Sequence, residues 1–424
     1  MDGPWSVVQF KSLQVERLEP SNVPTDFHMK IIYFSKSYTP HDYRFLSSLS
    51  KTEHEIFFLQ LEPAKRQTED RSVPENVQQI LWAGGRSEFR WRDVPRLTFD
   101  LRRVIREIKP DIIHAGPIQN CAFLVALSGF RHLLAMSWGY DLVMDADKSW
   151  WMKRVTQYVL RNSAFFTSDA NVTRDKAVAF GMNPERMVIF PWGVDIEHFA
   201  PKKEERRKKT VASANRQSST LAPGASAGVV NRKSVTLFCS RTWEAIYGVD
   251  VLAKAFVKVT NVNPDVNLIL LGGGSQGAHI RQILMRGGVM ERVHFGGQVG
   301  QRDLPRWYHM ADIYISPSHV DGTSVTLLEA LASGLPCLVS DIPGNRDWIE
   351  EGVNGWTFRD GDVDNLAEKI LLAIKSRRLF GRIGKAARKT AEERADWSKN
   401  FGKLLEVYNV IATFGKQSPR DGER

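Results

Sequence analysis

Apolar positions in this chain fall in short unbroken runs. KIIYFS (30–35), EIFFLQL (55–61), DIIHAG (111–116), HLLAMSWG (132–139), AFFTSD (164–169) and MVIFPWG (187–193) are each bounded by polar residues or glycine. Continuous runs of this length are how strands buried on both faces of a parallel sheet read. Stretches of helical spacing separate them, so the first half predicts repeated βαβ units in a doubly wound α/β domain. The rhythm breaks at 201–234, which is charged first and then rich in Ala, Ser and Gly, with no apolar period. That segment reads as a linker or inserted loop. The rhythm resumes with VTLFCS (235–240), VNLILLG (266–272), VHFGG (293–297), DIYISPS (312–318) and PCLVSD (336–341).

The pattern divides the chain into an irregular extension (1–28), an N-terminal domain (29–196), a linker (197–234), a C-terminal domain (235–396), a helix (397–415) expected to pack back across both domains, and a tail (416–424). Ligands of open α/β sheets bind at the carboxyl ends of the strands. The expected site is therefore a central cleft faced by two doubly wound, Rossmann-like domains.

Composition changes this picture little. At 424 residues, 42% hydrophobic and 25% charged, the chain reads as globular with room for two cores. The net charge of +10 suits an anionic partner. The charge run from Lys202 to Lys209 reads as a solvated face, so no nucleic-acid partner is expected. Cys121, Cys239 and Cys337 each sit in an apolar run, which predicts buried free thiols in a reducing compartment and no metal site. No apolar run reaches the roughly 18–20 residues that span a bilayer, and the N-terminus lacks a signal-peptide pattern. The expected location is cytoplasmic, including the inner face of the membrane.

Gly272, Gly274 and Gly277 fit the dinucleotide fingerprint G-x-G-x-x-G, with Glu291 about 20 residues on. In that fold the acidic residue closes the second strand. Glu291 instead precedes the strand Val293-His294-Phe295. The glycines therefore read as a tight turn, and Gly272 and Gly273 remain candidates for backbone approach to a ligand.

The segment 312–341 carries sharper chemistry. A strand ends near Ser318, a loop holds Asp321, Gly322, Thr323 and Ser324, and a helix runs from about Val325 to Ser333, stopped by Gly334 and Pro336. Amides at Ser324, Val325 and Thr326 and the positive end of the helix dipole make a phosphate cradle. Glu329 lies about 8 Å along the axis. Two carboxylates flanking a helix N-terminus suit the hydroxyls of a nucleotide-sugar.

This segment resembles the E-x7-E motif of the family 4 glycosyltransferases, retaining enzymes of the two-domain GT-B fold. DGTSVTLLEALASGLPC places Asp321 at the first Glu and Glu329 at the second. EGVNGWTF (351–358), PWGVDIEHFAP (191–201) and CSRTWEAIYGVDVLAKAF (239–256) are similar to further family motifs in the same order. The resemblance implies that Asp321, Glu329 and Arg241 form the catalytic set, with Arg241 neutralising the donor diphosphate. It places Tyr247 where the family has lysine, beside Gly248, and puts Val299 at the base. SWGYDL (137–142) is similar to a family H-G-x-D segment, with Trp138 in place of His and with Gly139 and Asp141 matching.

With His41, Asp42 and Arg44 after the first strand, these last residues form the candidate acceptor edge; for Asp42 a helix-capping role stays open. His114, inside a strand, reads as a core residue.

The reading is transfer of a sugar from a nucleoside-diphosphate-sugar to an acceptor hydroxyl, without metal or cofactor. RWRDVPRLTFDLRRVIREIK (90–109) mixes Trp91 with Arg92, Arg96, Arg102, Arg103 and Arg106, and carries an apolar stripe of Leu97, Leu101, Val104 and Ile108. It reads either as a helix whose stripe faces the core or as a surface for anionic lipid, which would fit a lipid-linked acceptor. A non-catalytic nucleotide-sugar-binding protein, supported by the Tyr247 and Trp138 departures, and a sugar-nucleotide epimerase are the alternatives.

Overall fold

The computed structural model describes residues 28–63, 69–201 and 234–417, with side chains to 413. The extension 1–27, most of the 197–234 linker and the end of the tail lie outside the described residues. Two compact units result. One takes the described residues up to Pro191 together with those from Lys399 on, and the other runs from Trp192 to Ser398.

The first unit is a parallel sheet of seven strands: β1 (Lys30–Ser35), β2 (Glu55–Gln60), β3 (Val77–Gln79), β4 (Ile112–Gly116), β5 (Leu133–Met136), β6 (Phe165–Ser168) and β7 (Met187–Ile189). Their order is β3-β2-β1-β4-β5-β6-β7. The second is a parallel sheet of six: β8 (Val235–Cys239), β9 (Val266–Leu271), β10 (Val293–Gly297), β11 (Ile313–Ser316), β12 (Cys337–Ser340) and β13 (Gly355–Phe358), in the order β10-β9-β8-β11-β12-β13. Each is the doubly wound, Rossmann-like pattern, with the order reversing beside its first strand.

The apolar runs became strands because helices cover both faces of each sheet. β4, β5, β6, β8, β11 and β12 are buried throughout. The runs ended sooner than their apolar residues did. Phe190, Trp192 and Val194 are buried but follow β7; the Phe190 amide still bonds the Ser168 carbonyl, and Val194 makes an isolated bridge with Asp396. Two edge strands were not predicted. β3 is three residues with two exposed, and β13 reads in sequence only as part of a motif.

The helix Val94–Ile108 shows where its apolar stripe points. Leu97, Leu101 and Val104 are buried against the first core and Ile108 packs on it, so the stripe faces the protein. Arg96 and Arg102 bond to backbone carbonyls, and Arg103 pairs with Asp100 and Glu107. All three cysteines are buried and free. Among the described residues, no helix is long and apolar enough to cross a membrane.

Candidate active site

β8 pairs directly with β11, through Ile313 with Leu237 and Tyr314 with Phe238. This is the point where strand order reverses in the second unit, the place where such sheets bind ligands. Arg241 leaves β8 here and the Asp321 loop leaves β11. The guanidinium is held on three sides. Nη2 lies 2.7 Å from Asp321 Oδ2, and Nη1 donates to Ser324 Oγ at 2.9 Å and Thr326 Oγ1 at 3.2 Å. Its central carbon stands 4.2 Å from the Tyr247 ring centroid. Arg241 is only 8% exposed. Burial works against its charge, but the Asp321 carboxylate more than restores it and keeps the group cationic.

The helix Val325–Ala332 starts where the sequence placed it. Ser324 is its N-cap, and the Ser324 hydroxyl accepts from the Leu327 amide at 3.4 Å. The amides heading the helix are therefore Val325 and Thr326, and Ser324 contributes its side chain. Thr323 and Gly322 are buried behind Asp321. A Cβ built on Gly344 would stand 2.0 Å from the Gly322 carbonyl, so the loop rests directly on that backbone.

Glu329 is 1% exposed. It does not point into open space as a waiting acceptor: its Oε2 accepts from the Tyr308 hydroxyl at 2.8 Å. The same hydroxyl lies 3.0 Å from the Thr326 carbonyl and 3.3 Å from Ser240 Oγ. Thr326 thus joins Glu329's network to Arg241. Burial, with Glu329 beside it, holds the Tyr308 phenol well above its ordinary range, so Tyr308 remains a donor.

Tyr308 carries no local sequence signal, because it lies 21 residues before its partner. His319 was also missed. Its Nδ1 bonds Asp360 at 2.6 Å, and its Nε2 lies 3.3 Å from where a Gly248 Cβ would be. Its place two residues before Asp321 was the available clue. Gly248 itself adopts φ +58°, and a side chain there would meet the Pro317 carbonyl at 2.1 Å.

The glycine loop lies beside Arg241. Gly272 adopts φ +84° and would place a Cβ 3.4 Å from the Arg241 carbonyl, while Gly273 O accepts from the Trp243 amide at 3.0 Å. Gly274 and Gly277 clear the carbonyl and the ring of Trp243, so their absence of side chains serves packing. Glu291 sits in a turn that precedes β10. Val299 is half-buried against the core of this unit.

The first-unit candidates need correction. Asp42 is fully buried as the third residue of a capping box on the helix Pro40–Leu49. It receives bonds from the Thr39 amide and hydroxyl and from the Tyr33 hydroxyl. Asp141 is equally buried, accepting from the Ser137 hydroxyl at 2.6 Å and from the amides of Trp138, Ile118 and Leu142, each at 3.0 Å. Burial pushes both carboxyls up to about 6. These carboxylates hold loops, and Asp141 also lines a cavity of this unit. Gly139, at φ +90°, turns the same loop.

His41 and Trp138 do come together, with ring centroids 5.6 Å apart. Burial, then Arg44, pushes the His41 imidazole down to about 3. His114 is a core residue: its Nδ1 lies 2.7 Å from the Tyr408 hydroxyl, and burial pushes it down to about 3.

Two family models match. Residues 233–376 match "Glycosyl transferases group 1" and residues 30–170 match "Glycosyl transferase 4-like". The chain belongs to the family 4 glycosyltransferases. It is 31% identical to a phosphatidyl-myo-inositol mannosyltransferase of Mycobacterium leprae over 45% of this chain and 50% of that one. It is 24% identical to a GDP-mannose-dependent alpha-(1-6)-phosphatidylinositol monomannoside mannosyltransferase of Mycolicibacterium smegmatis over 74% of this chain and 80% of that one. The chain spans about half the length of several curated relatives that it matches. Among solved structures, Anabaena HepE in complex with UDP-glucose superposes with a TM-score of 0.71 at 17% identity, covering 92% of this chain and 100% of that one. The fold of this family 4 glycosyltransferase is thus GT-B, two Rossmann-like units.

Proposed function

We propose that the chain is a retaining glycosyltransferase that moves a sugar from a nucleoside-diphosphate-sugar to an acceptor hydroxyl, with no metal or cofactor in the chemistry. The observation that carries this reading is the cationic Arg241 held over the start of the helix Val325–Ala332 at the β8/β11 reversal. Charge develops on the leaving diphosphate. A fixed guanidinium and the Val325 and Thr326 amides are donors already aimed at such charge. Asp321 keeps the guanidinium in position until phosphate oxygens replace it, and it then turns to the sugar hydroxyls. Glu329 would meet the nucleotide ribose by turning its carboxylate from the Tyr308 hydroxyl that holds it here. Matching proteins favour this donor and a lipid acceptor: HepE forms a complex with UDP-glucose, and the mycobacterial relatives are phosphatidylinositol mannosyltransferases. A cytoplasmic protein working at the inner membrane face fits that acceptor.

A thermal-shift screen of nucleotide-sugars identifies the donor, followed by product analysis with lipid and soluble acceptors. Arg241→Ala is expected to lower kcat/KM by about 10²–10³ with the fold intact. Wild-type turnover in that variant overturns the site. The second reading, a nucleotide-sugar binder without catalysis, is favoured by Tyr247 where a cation would aid departure of diphosphate. It predicts a stabilising donor with neither hydrolysis nor transfer.

A further inference from the structure

Trp91, Trp151 and Trp150 form a continuous strip on the first unit. The rings of Trp91 and Trp151 have centroids 5.9 Å apart, and those of Trp151 and Trp150 are 6.0 Å apart. The three side chains are 40%, 45% and 74% exposed. Trp91 is in ring contact with Phe89 at 5.5 Å and with Phe123 of the first core at 5.7 Å, so this end of the strip rests on the core. Three large exposed indoles in ring contact are not ordinary surface scatter. Contiguous exposed apolar area on a soluble protein marks an interaction site.

The surroundings say what covers it. Segment 86–96 holds four arginines against Glu88 and Asp93, and segment 148–154 adds Arg154 together with Lys148 and Lys153, which pair with Asp145 and Asp147. Arg90 and Arg92 flank Trp91, and Arg154 lies one helical turn after Trp151; all three are exposed. A symmetric contact between two copies of the chain would set these cations against each other. Indole rings ringed by arginine instead match a bilayer surface, where tryptophan sits at the headgroup level and basic side chains meet anionic lipid. A cavity of about 150 Å³ opens beside the strip, with Trp91, Met152, Asn120, Lys36, Asp141 and Asp145 in its lining. It lies at the ends of β1 and β4, where the order of this sheet reverses.

We propose that the Trp91–Trp151–Trp150 strip is the surface on which this protein docks to an anionic lipid bilayer, with the cavity beside it taking the headgroup of the acceptor. The docking surface differs from the arginine helix stripe, which is buried. The assignment of the cavity rests on the transferase reading; the docking does not.

The test uses full-length protein and sedimentation with vesicles of phosphatidylcholine alone or mixed with phosphatidylglycerol, at low and high salt. Wild type is expected to bind the anionic vesicles at low salt, with loss of binding at high salt. Trp150→Ala combined with Trp151→Ala is expected to weaken binding at least about tenfold, the loss when two large rings cease to leave water. Arg92→Glu combined with Arg154→Glu is expected to abolish the preference for anionic vesicles. Nucleoside diphosphate binding is unchanged in all variants, so loss of docking and failure of the donor site are read separately. Three results overturn the proposal: no wild-type binding to anionic vesicles at low salt, undiminished binding by the tryptophan variant, or a wild-type oligomer that this variant converts to monomer.

Discussion

Arg241 and Asp321, 80 residues apart in sequence, meet at 2.7 Å. The carboxylate therefore occupies the guanidinium that a diphosphate would need. Asp321→Asn removes a negative charge from the anion's path and frees one arm of the fork. Nucleoside diphosphate affinity is expected to rise about tenfold, ~1.4 kcal/mol, while sugar transfer falls. Calorimetric titration beside a transfer assay checks this. Affinity that falls together with turnover would show that Asp321 serves only to position Arg241.

Glu329 and Tyr308 make a second separable pair. Glu329→Gln keeps an acceptor for the Tyr308 hydroxyl but loses the charge offered to ribose. It is expected to melt near the wild type and to bind donor about tenfold more weakly. Tyr308→Phe leaves a buried carboxylate short of one donor and is expected to cost about 1–3 kcal/mol of stability. Melting curves and donor titrations on the two variants distinguish these roles.

Tyr247 lies against the cation instead of adding another. Tyr247→Lys places a second positive charge at the same loop and is expected to tighten donor binding several-fold, by about 1 kcal/mol. The gain should shrink as salt rises. Unchanged affinity at low salt would mean that the diphosphate does not reach this loop.

His114 makes acid sensitivity predictable. Folded, its imidazole titrates near about 3, whereas an unfolded histidine titrates near 6.5. Between those values only the unfolded chain binds the proton. The contribution of His114 is therefore complete above roughly pH 6.5 and is lost as pH falls toward about 3. Passing from pH 7 to pH 5 should cost the wild type about 2 kcal/mol more than His114→Phe. Denaturant unfolding at both pH values measures the difference, whatever the absolute stability of the variant.

The sequence by itself determined the architecture and half of the chemistry. Unbroken apolar runs such as IIYF and LILL have one stable fate, a strand covered on both faces, because that burial is local in the pattern. The start of the helix at Val325 was equally legible, since Ser324 before an apolar run is a capping signal read within a few residues. The roles of Asp42 and Asp141 were not. A carboxylate after a strand reads the same whether it faces a ligand or turns inward to cap a loop, and only the packing of Tyr33, Thr39, Ser137 and Ile118 around them decided. Tyr308 on Glu329 and the three-tryptophan strip share that cause. Each joins residues from separate elements, and the distance between those elements is set by sheet order and helix packing, to which no local spacing corresponds.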